Sequence, residues 1–457
     1  MSLIAKVIRD ILGIPELRKR ILITFGLLAV YRIGFHIYLP GIKIQVLADI
    51  LDNLAKTGGG TLLGLIKITG ALTGGSLANA TVFSLGIMPY ISASIIFSLL
   101  VKVFPKLEAL QKEGESGRRQ INRYTRYATL ALCLVQGWFV IVFLRSPLQG
   151  GSGGPEIISY DSYWWAVLQV LVLTAGTMFL VWLGEKITEF GIGNGISLII
   201  MAGIIAGAPS AMVQLYSGVA AASPDEVPFY VLRIVSLVAL FLGIVAAVVF
   251  ITKGQRRIPV QQARTVKGRR VYGGQRHYMP IKLNAAGVLP IIFAQSLIII
   301  PGGILSFIFP EGNVLVDMLA PGAFMYLALY VLLIGFFTYF WTSLMFNPVE
   351  LADQMKEYGS FIPGIRPGRR TAEHLSKIIN RITLAGGVFL AAIALIPQLI
   401  SGSFHVDAFV SQFLGGTGIL IVVGVALDLV DKVEAQLLVR HYDGFMRAGG
   451  SETSGAR

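Results

Sequence analysis

Two pairs of isoleucines stand one helical turn apart at the start of apolar runs: Ile87 with Ile91 in GIMPYISASII, and Ile196 with Ile200 in GIGNGISLII. Residues at i and i+4 share a helix face, and most such pairs pack or face lipid. Here Pro89 falls between the first pair, and a glycine-rich approach precedes the second. Local irregularity beside β-branched apolar side chains suits a narrow, dry constriction gated by dewetting. A third unusual feature lies in residues 61–101. About 20 apolar residues cross roughly 30 Å of hydrocarbon, and this run is about twice that length. It is broken at Gly74-Gly75 and carries Lys67 in its first half. Residues 77–101 are long enough to cross alone. Residues 61–73 are too short and must fold back or stop partway. Such a half-span is tolerated at membrane depth only where it is buried in protein or lines a wet cavity. The alternative is a surface helix followed by an ordinary span.

Other chemistry is excluded by what the chain lacks. His36, His277, His374, His405 and His441 are scattered, with no HExxH or other metal spacing. Neither a nucleophile paired with a base nor paired intramembrane aspartates occur, as proteolysis within the membrane would require. GIGNG opens a membrane span and not a βαβ unit, so it is no dinucleotide loop. Cys133 is the single cysteine and lies in an apolar span, where a small packing role is expected. Arg32, Lys67 and Arg233 are the main charges inside spans. Ion coupling needs titratable groups mid-membrane, so a passive pathway is expected, with no enzyme activity, metal or cofactor.

The elements that must position these residues follow from composition. Of 457 residues, 54% are hydrophobic and 14% charged, against about 25% charged in a soluble chain. This is an all-α polytopic membrane protein. Residues 1–20 read as an interfacial amphipathic helix ending at Arg18-Lys19-Arg20, with Leu3, Ile4, Val7, Ile8, Ile11 and Leu12 on one side. No cleavable leader is expected. Spans are placed at about 21–39, 77–101, 123–144, 163–184, 195–216, 228–251, 285–308, 324–346, 382–400 and 413–430, ten in all. Positive charge gathers in the segment before span one and in loops 102–126, 252–283 and 347–381, while the opposite loops are nearly bare of it. That asymmetry places both termini in the cytoplasm. Residues 21–216 and 217–430 then form two halves of five spans each, followed by a cytoplasmic tail at 431–457. An odd number of spans per half gives the halves opposite orientation, the arrangement of inverted-repeat transporters, although no sequence repeat is evident.

Loop 252–283 carries nine Lys/Arg and no acid, out of a net charge of +13 for the chain. Turn signals at Lys267-Gly268 and Gly273-Gly274, with apolar/polar alternation, predict a projecting hairpin. Anionic lipid and a phosphate backbone fit its charge equally.

Several stretches resemble one family. GIMPYISASI and LGEKITEFGIGNGIS (183–197) are similar to two signature stretches of the SecY family, the channel subunits of the bacterial protein-conducting translocon. EGESGRRQINRYTRY, KGRRVYGGQ, LNAAGVLPIIFA, FIPGIRPG and FLGGTGILIVV resemble further family stretches in the same order, so the resemblance covers nearly the whole chain. It implies an hourglass pore made of two inverted five-helix halves, in the bacterial plasma membrane. By motif the apolar pore ring falls on Ile87, Ile91, Ile196, Ile200, Ile292 and Ile421. The half-span at 61–73 matches the plug, with Leu62, Leu63, Leu65, Ile66, Lys67 and Ile68 in it. Asn194 and Asn284 match polar residues of a lateral gate through which signal peptides reach lipid. Arg269, Arg270 and Arg366 match arginines that dock the ribosome or the SecA motor. The small subunits SecE and SecG are the implied membrane partners, and unfolded polypeptides the implied substrates. A secondary transporter with inverted repeats is the alternative, disfavoured by the lack of mid-membrane acids. A lipid-inserting or scaffold protein without a pore is the third reading, disfavoured by the half-span.

Overall fold

The computed structural model describes residues 14–47, 49, 80–145, 162–220, 225, 227–263, 265–267, 270–272, 276–308, 314, 318–319, 322–404 and 416–451. Of the interfacial helix expected over 1–20, residues 1–13 lie outside the described residues, as do the half-span with Leu62, Leu63, Leu65, Ile66, Lys67 and Ile68, and Arg269, while Pro15–Arg20 belong to the helix of the first span.

A helix stands at each of the ten expected spans: α1 (Pro15–Gly34), α2 (Met88–Val103), α4 (Glu115–Arg145), α5 (Tyr163–Phe190), α6 (Gly195–Ala206) continued by α7 (Ala208–Ala220), α8 (Val227–Lys253), α9 (Leu289–Ile308), α10 (Phe324–Met345), α12 (Arg369–Phe404) and α13 (Thr417–Ser451). Two short helices, α3 (Pro105–Lys112) and α11 (Pro348–Glu357), join them. Among the described residues, six helices are long and apolar enough to cross a membrane unaided, and α2 with α3, bent by 99°, make a seventh candidate.

The first two spans differ from expectation. The first helix begins at Pro15, not near 21, because proline suits the first helical position, where its missing N–H goes unused. It ends at Gly34, not 39, because the chain turns there to pair Tyr38 with Thr81. The second helix begins at Met88, not at 77. Residues 82–87 form turns, with Gly86 at φ +56°, Ser84 donating to the Thr81 carbonyl at 2.7 Å, and Pro89 in the first turn of the helix. With 16 residues, α2 spans only about 24 Å.

The chain divides into two compact units, Met1–Ala211 with Val425–Arg457, and Met212–Gly424. The last helix therefore contributes to both, and the segment expected as a separate tail continues it as helix to Ser451. In the first unit, one core gathers Leu85, Cys133, Ile141, Val170 and Leu173. Cys133 is fully buried there, in the packing role expected of it. A second core gathers Tyr31, Phe35, Phe83, Leu180, Leu183, Ile187 and Leu198. In the second unit, Ile244, Ile291, Tyr330, Ile334, Leu390 and Ile419 pack α8, α9, α10, α12 and the start of α13 together.

The second unit also holds the β-structure. Strands β1 (Gln255–Gln262) and β4 (Arg276–Lys282) pair antiparallel, and β2 (Thr265–Lys267) pairs with β3 (Arg270–Tyr272) further out, forming the expected hairpin. A short strand, β5 (Ser360–Phe361), adds to β1 and gives the order β4-β1-β5.

Candidate functional sites: a glycine-packed helix junction and a basic platform

The junction between α5 and α6 is built from backbone contact. A Cβ on Gly195 would lie 1.9 Å from the Gly184 carbonyl oxygen and 2.7 Å from Cβ of Ile187, so only glycine permits the approach. A Cβ on Gly191 would fall 2.4 Å from Oγ1 of Thr24 on α1. Between them Gly193 adopts φ +89°, which glycine reaches without strain. Threonines satisfy the backbone that these bends free. Thr188 Oγ1 accepts from the Gly195 N–H at 2.8 Å, and Thr24 Oγ1 accepts from the Ile192 N–H at 3.1 Å. Asn194 is the N-cap of α6: its Oδ1 accepts from the N–H groups of Ile196 at 3.1 Å and Ser197 at 3.4 Å. A cap of this kind contributes about 1 kcal/mol.

This junction fixes where α6 presents its isoleucines. Ile87 is buried in the aromatic core, and Ile91 and Ile196 pack against the same core, whose Phe35 ring lies under the Arg32 guanidinium at 5.8 Å. Ile200 is half-buried one turn beyond Ile196. Phe83, just before α2, stacks on Tyr31 and Phe179. A Cβ on Gly34 would meet its ring at 1.9 Å, and a Cβ on Gly176 would meet the Val82 carbonyl at 2.2 Å. The charges of LGEKITEF are spent locally. Arg126 on α4 donates twice to Glu185, at 2.9 and 2.7 Å, and Lys186 pairs with Glu189 at 2.7 Å while lying over Phe190. The inter-helix pair Arg126–Glu185 was not legible in the sequence, since its partners stand 59 positions apart.

In the second unit the two basic loops, separate in sequence, form one platform. Gln261 and Gln262 of β1 pair with Phe361 and Ser360, and the Ala263 N–H donates to the Gly359 carbonyl at 2.9 Å. Beneath the sheet, Ile258, Ile281, Met355, Ile362, Leu375 and Ile379 make a separate apolar core. The Leu283 N–H donates to the Gly254 carbonyl at 2.9 Å, closing the hairpin base where α8 ends. Arg366 is exposed in the turn after β5. Its backbone is held by Thr371, which donates to the Arg366 carbonyl at 3.0 Å, and by Ile365, which packs into the apolar core. Arg270 starts β3 opposite Lys267.

Comparison with known proteins settles the relationship. The SecY family model matches residues 81–430. The protein translocase subunit SecY of Thermotoga maritima is 41% identical over 437 residues, covering 95% of this chain and 96% of its own. That of Aquifex aeolicus is 43% identical over 442 residues, covering 96% and 99%. The chain belongs to the SecY family. Two solved structures share the fold: one of a protein conducting channel, with TM-score 0.60, 19% identity and 92% of each chain covered, and one of Sec61 in the canine ribosome-channel complex, with TM-score 0.57, 18% identity and the same coverage. The fold is thus the ten-helix fold of SecY, a multi-span membrane channel family.

Of the residues that the family motifs single out, the structure brings Ile87, Ile91 and Ile196 to one cluster. Ile292 and Ile421 belong to the other unit. There Ile292 is half-buried in the first turn of α9, its carbonyl accepting from Ser296 Oγ at 2.8 Å, and Ile421 is buried on α13. Asn284 lies in the turn between β4 and α9. It lines a cavity of about 10 Å³ with Thr338, Thr342 and Thr383, and its buried Oδ1 has no partner among the described residues. All three threonine hydroxyls donate to carbonyls of their own helices, at 2.6 to 2.8 Å.

Proposed function

We propose that this chain is the pore-forming subunit of a Sec protein translocase in the bacterial plasma membrane, with both termini cytoplasmic. It conducts unfolded secretory polypeptides and releases membrane-protein spans sideways into lipid. The observation that carries this reading is the convergence of Ile87, Ile91 and Ile196 on one apolar cluster, at the starts of two helices whose first turns are set by Pro89 and by GIGNG. A neck of such residues holds no water, so ions would have to shed their hydration to pass. The same apolar walls make no directional bond to a sliding chain and are indifferent to its sequence. Ile200, Ile292 and Ile421 complete the proposed ring. The half-span at 61–73 is the proposed plug, and Asn194 and Asn284 are the proposed polar residues of the lateral gate.

The chain is not an enzyme in this reading. Energy comes from the SecA motor or the translating ribosome, bound on the platform through Arg269, Arg270 and Arg366, and SecE and SecG complete the membrane complex. Support for one docking surface comes from the β1–β5 pairing, which joins the loop of Arg270 to the loop of Arg366.

Ile91→Asn with Ile292→Asn tests the pore. In reconstituted vesicles the double variant should raise resting ion leak while translocation persists, because polar walls wet the neck. Cysteines at Ile91 and Ile292 should crosslink to a polypeptide arrested in transit. An arrested chain that crosslinks from none of the six positions places the pore elsewhere.

A further inference from the structure

The β1–β4 ladder sorts the hairpin into two faces. Ile258 and Ile281 turn inward and are buried, with Met279 and Val260 packed beside them. The register sets Arg257 opposite Pro280, Pro259 opposite Tyr278, Gln261 opposite Arg276 and Gln255 opposite Lys282. Directly opposed residues share a face, and alternation along each strand puts all four pairs on the face away from the core. That outer face carries Arg257, Arg276 and Lys282, all exposed, and no acid occurs anywhere in 254–282. No described carboxylate pairs with any of these three cations. Tyr278 stands among them with 64% of its surface exposed, flanked along its strand by Arg276 and Pro280 and opposed by Pro259. The tip arginines used for docking above are not on this ladder.

We propose that this outer face is an RNA-binding surface in which Tyr278 stacks on an unpaired ribosomal nucleotide while Arg257 and Arg276 hold the flanking phosphates. The proposal rests on ribosome docking as read above and names a second contact, on the strands next to the hairpin base where α8 ends. The chemistry favours nucleic acid. Unpaired RNA is recognised by stacking on exposed aromatic rings and by cations along its backbone, and the face offers one ring between cations with no competing acid. A lipid headgroup fits less well. Tyr278 lies five residues beyond Leu283, where the hairpin base closes, about 16 Å along an extended strand, and a headgroup gives a flat ring nothing to stack on.

The test uses the full channel with empty ribosomes over a salt series. Tyr278→Ala should weaken ribosome binding about 5- to 160-fold, the range for losing one base–aromatic stack, without changing the salt dependence. Tyr278→Phe, which keeps the ring, should bind as the parent does. Arg257→Gln and Arg276→Gln should each lower the slope of log affinity against log salt by about 0.7. A photoreactive side chain at position 278 should crosslink to ribosomal RNA. If Arg270→Glu weakens ribosome binding while Tyr278→Ala does not, docking stands and this inference falls. Crosslinks only to ribosomal protein or lipid, or a Tyr278→Ala defect confined to the motor protein, also overturn it. If the parent channel binds no ribosomes, both readings fall together.

Discussion

At the α5–α6 junction, backbones touch because no Cβ stands between them. On the platform, a layer of apolar side chains separates the sheet from α11 and α12, and Arg257, Arg276 and Lys282 sit on the far side of that layer. The first arrangement is rigid. A Cβ on Gly195 would meet the Gly184 carbonyl and the Ile187 Cβ, and one on Gly191 the Ile187 carbonyl at 2.6 Å as well as Thr24 Oγ1, so there is no room for substitution. The second divides its labour, with alternation along β1 and β4 burying one face while freeing the other to vary in charge. A constriction, the role proposed for the first region, needs fixed walls, and a docking surface, the role proposed for the second, needs accessible chemistry.

The sharpest way to break this comparison is to add volume at the junction. Gly195→Val should prevent recovery of assembled channel, because its side chain must occupy the space of the Gly184 carbonyl and Ile187. Overpacking elsewhere costs about 1–3 kcal/mol, and contact with backbone leaves less relief. Normal accumulation and thermal stability of Gly195→Val would show that the junction gives way. Next in size is the platform core. Leu375→Ala removes a fully buried side chain and should cost about 2–5 kcal/mol. Protease digestion should then attack 255–282 and 348–369 first, while resting ion leak stays at the parent level. Increased leak in that variant would tie the platform to the neck more tightly than two independent folding problems allow.

Asn194→Ala sharpens the comparison at smaller scale. It removes the cap on α6 but adds no volume, so a loss of about 1 kcal/mol is expected, read as a lowered melting temperature in detergent. Asn194→Asp, which still caps, should restore most of it. If Asn194→Ala leaves stability unchanged but alters opening toward lipid, the side chain serves the gate and not the helix. The smallest effect on stability belongs to Arg366→Glu. Its side chain is exposed, so stability should move by less than about 0.5 kcal/mol, whereas binding of SecA or ribosomes should drop. Unchanged binding of both would remove Arg366 from the docking surface.

Much of this was written in the chain. Apolar runs long enough to cross lipid, cationic loops on alternate sides, and turn signals at Lys267-Gly268 and Gly273-Gly274 predict ten spans and a projecting hairpin, since each depends on local composition alone. The start of α2 was not legible. A run of apolar residues from 77 to 101 looks continuous by hydropathy, yet the helix begins at Met88 because Thr81 pairs with Tyr38, 43 positions earlier, and Val82 needs the bare Cα of Gly176. Nor did spacing reveal that Gln261 and Phe361 pair, or that Arg126 reaches Glu185. The sequence by itself determined which segments leave water, because that follows from summed side-chain transfer energy over about 20 residues. Only the tertiary structure decided where helices start within those segments and which loops become one surface, because backbone hydrogen bonds and glycine contacts between distant segments select them.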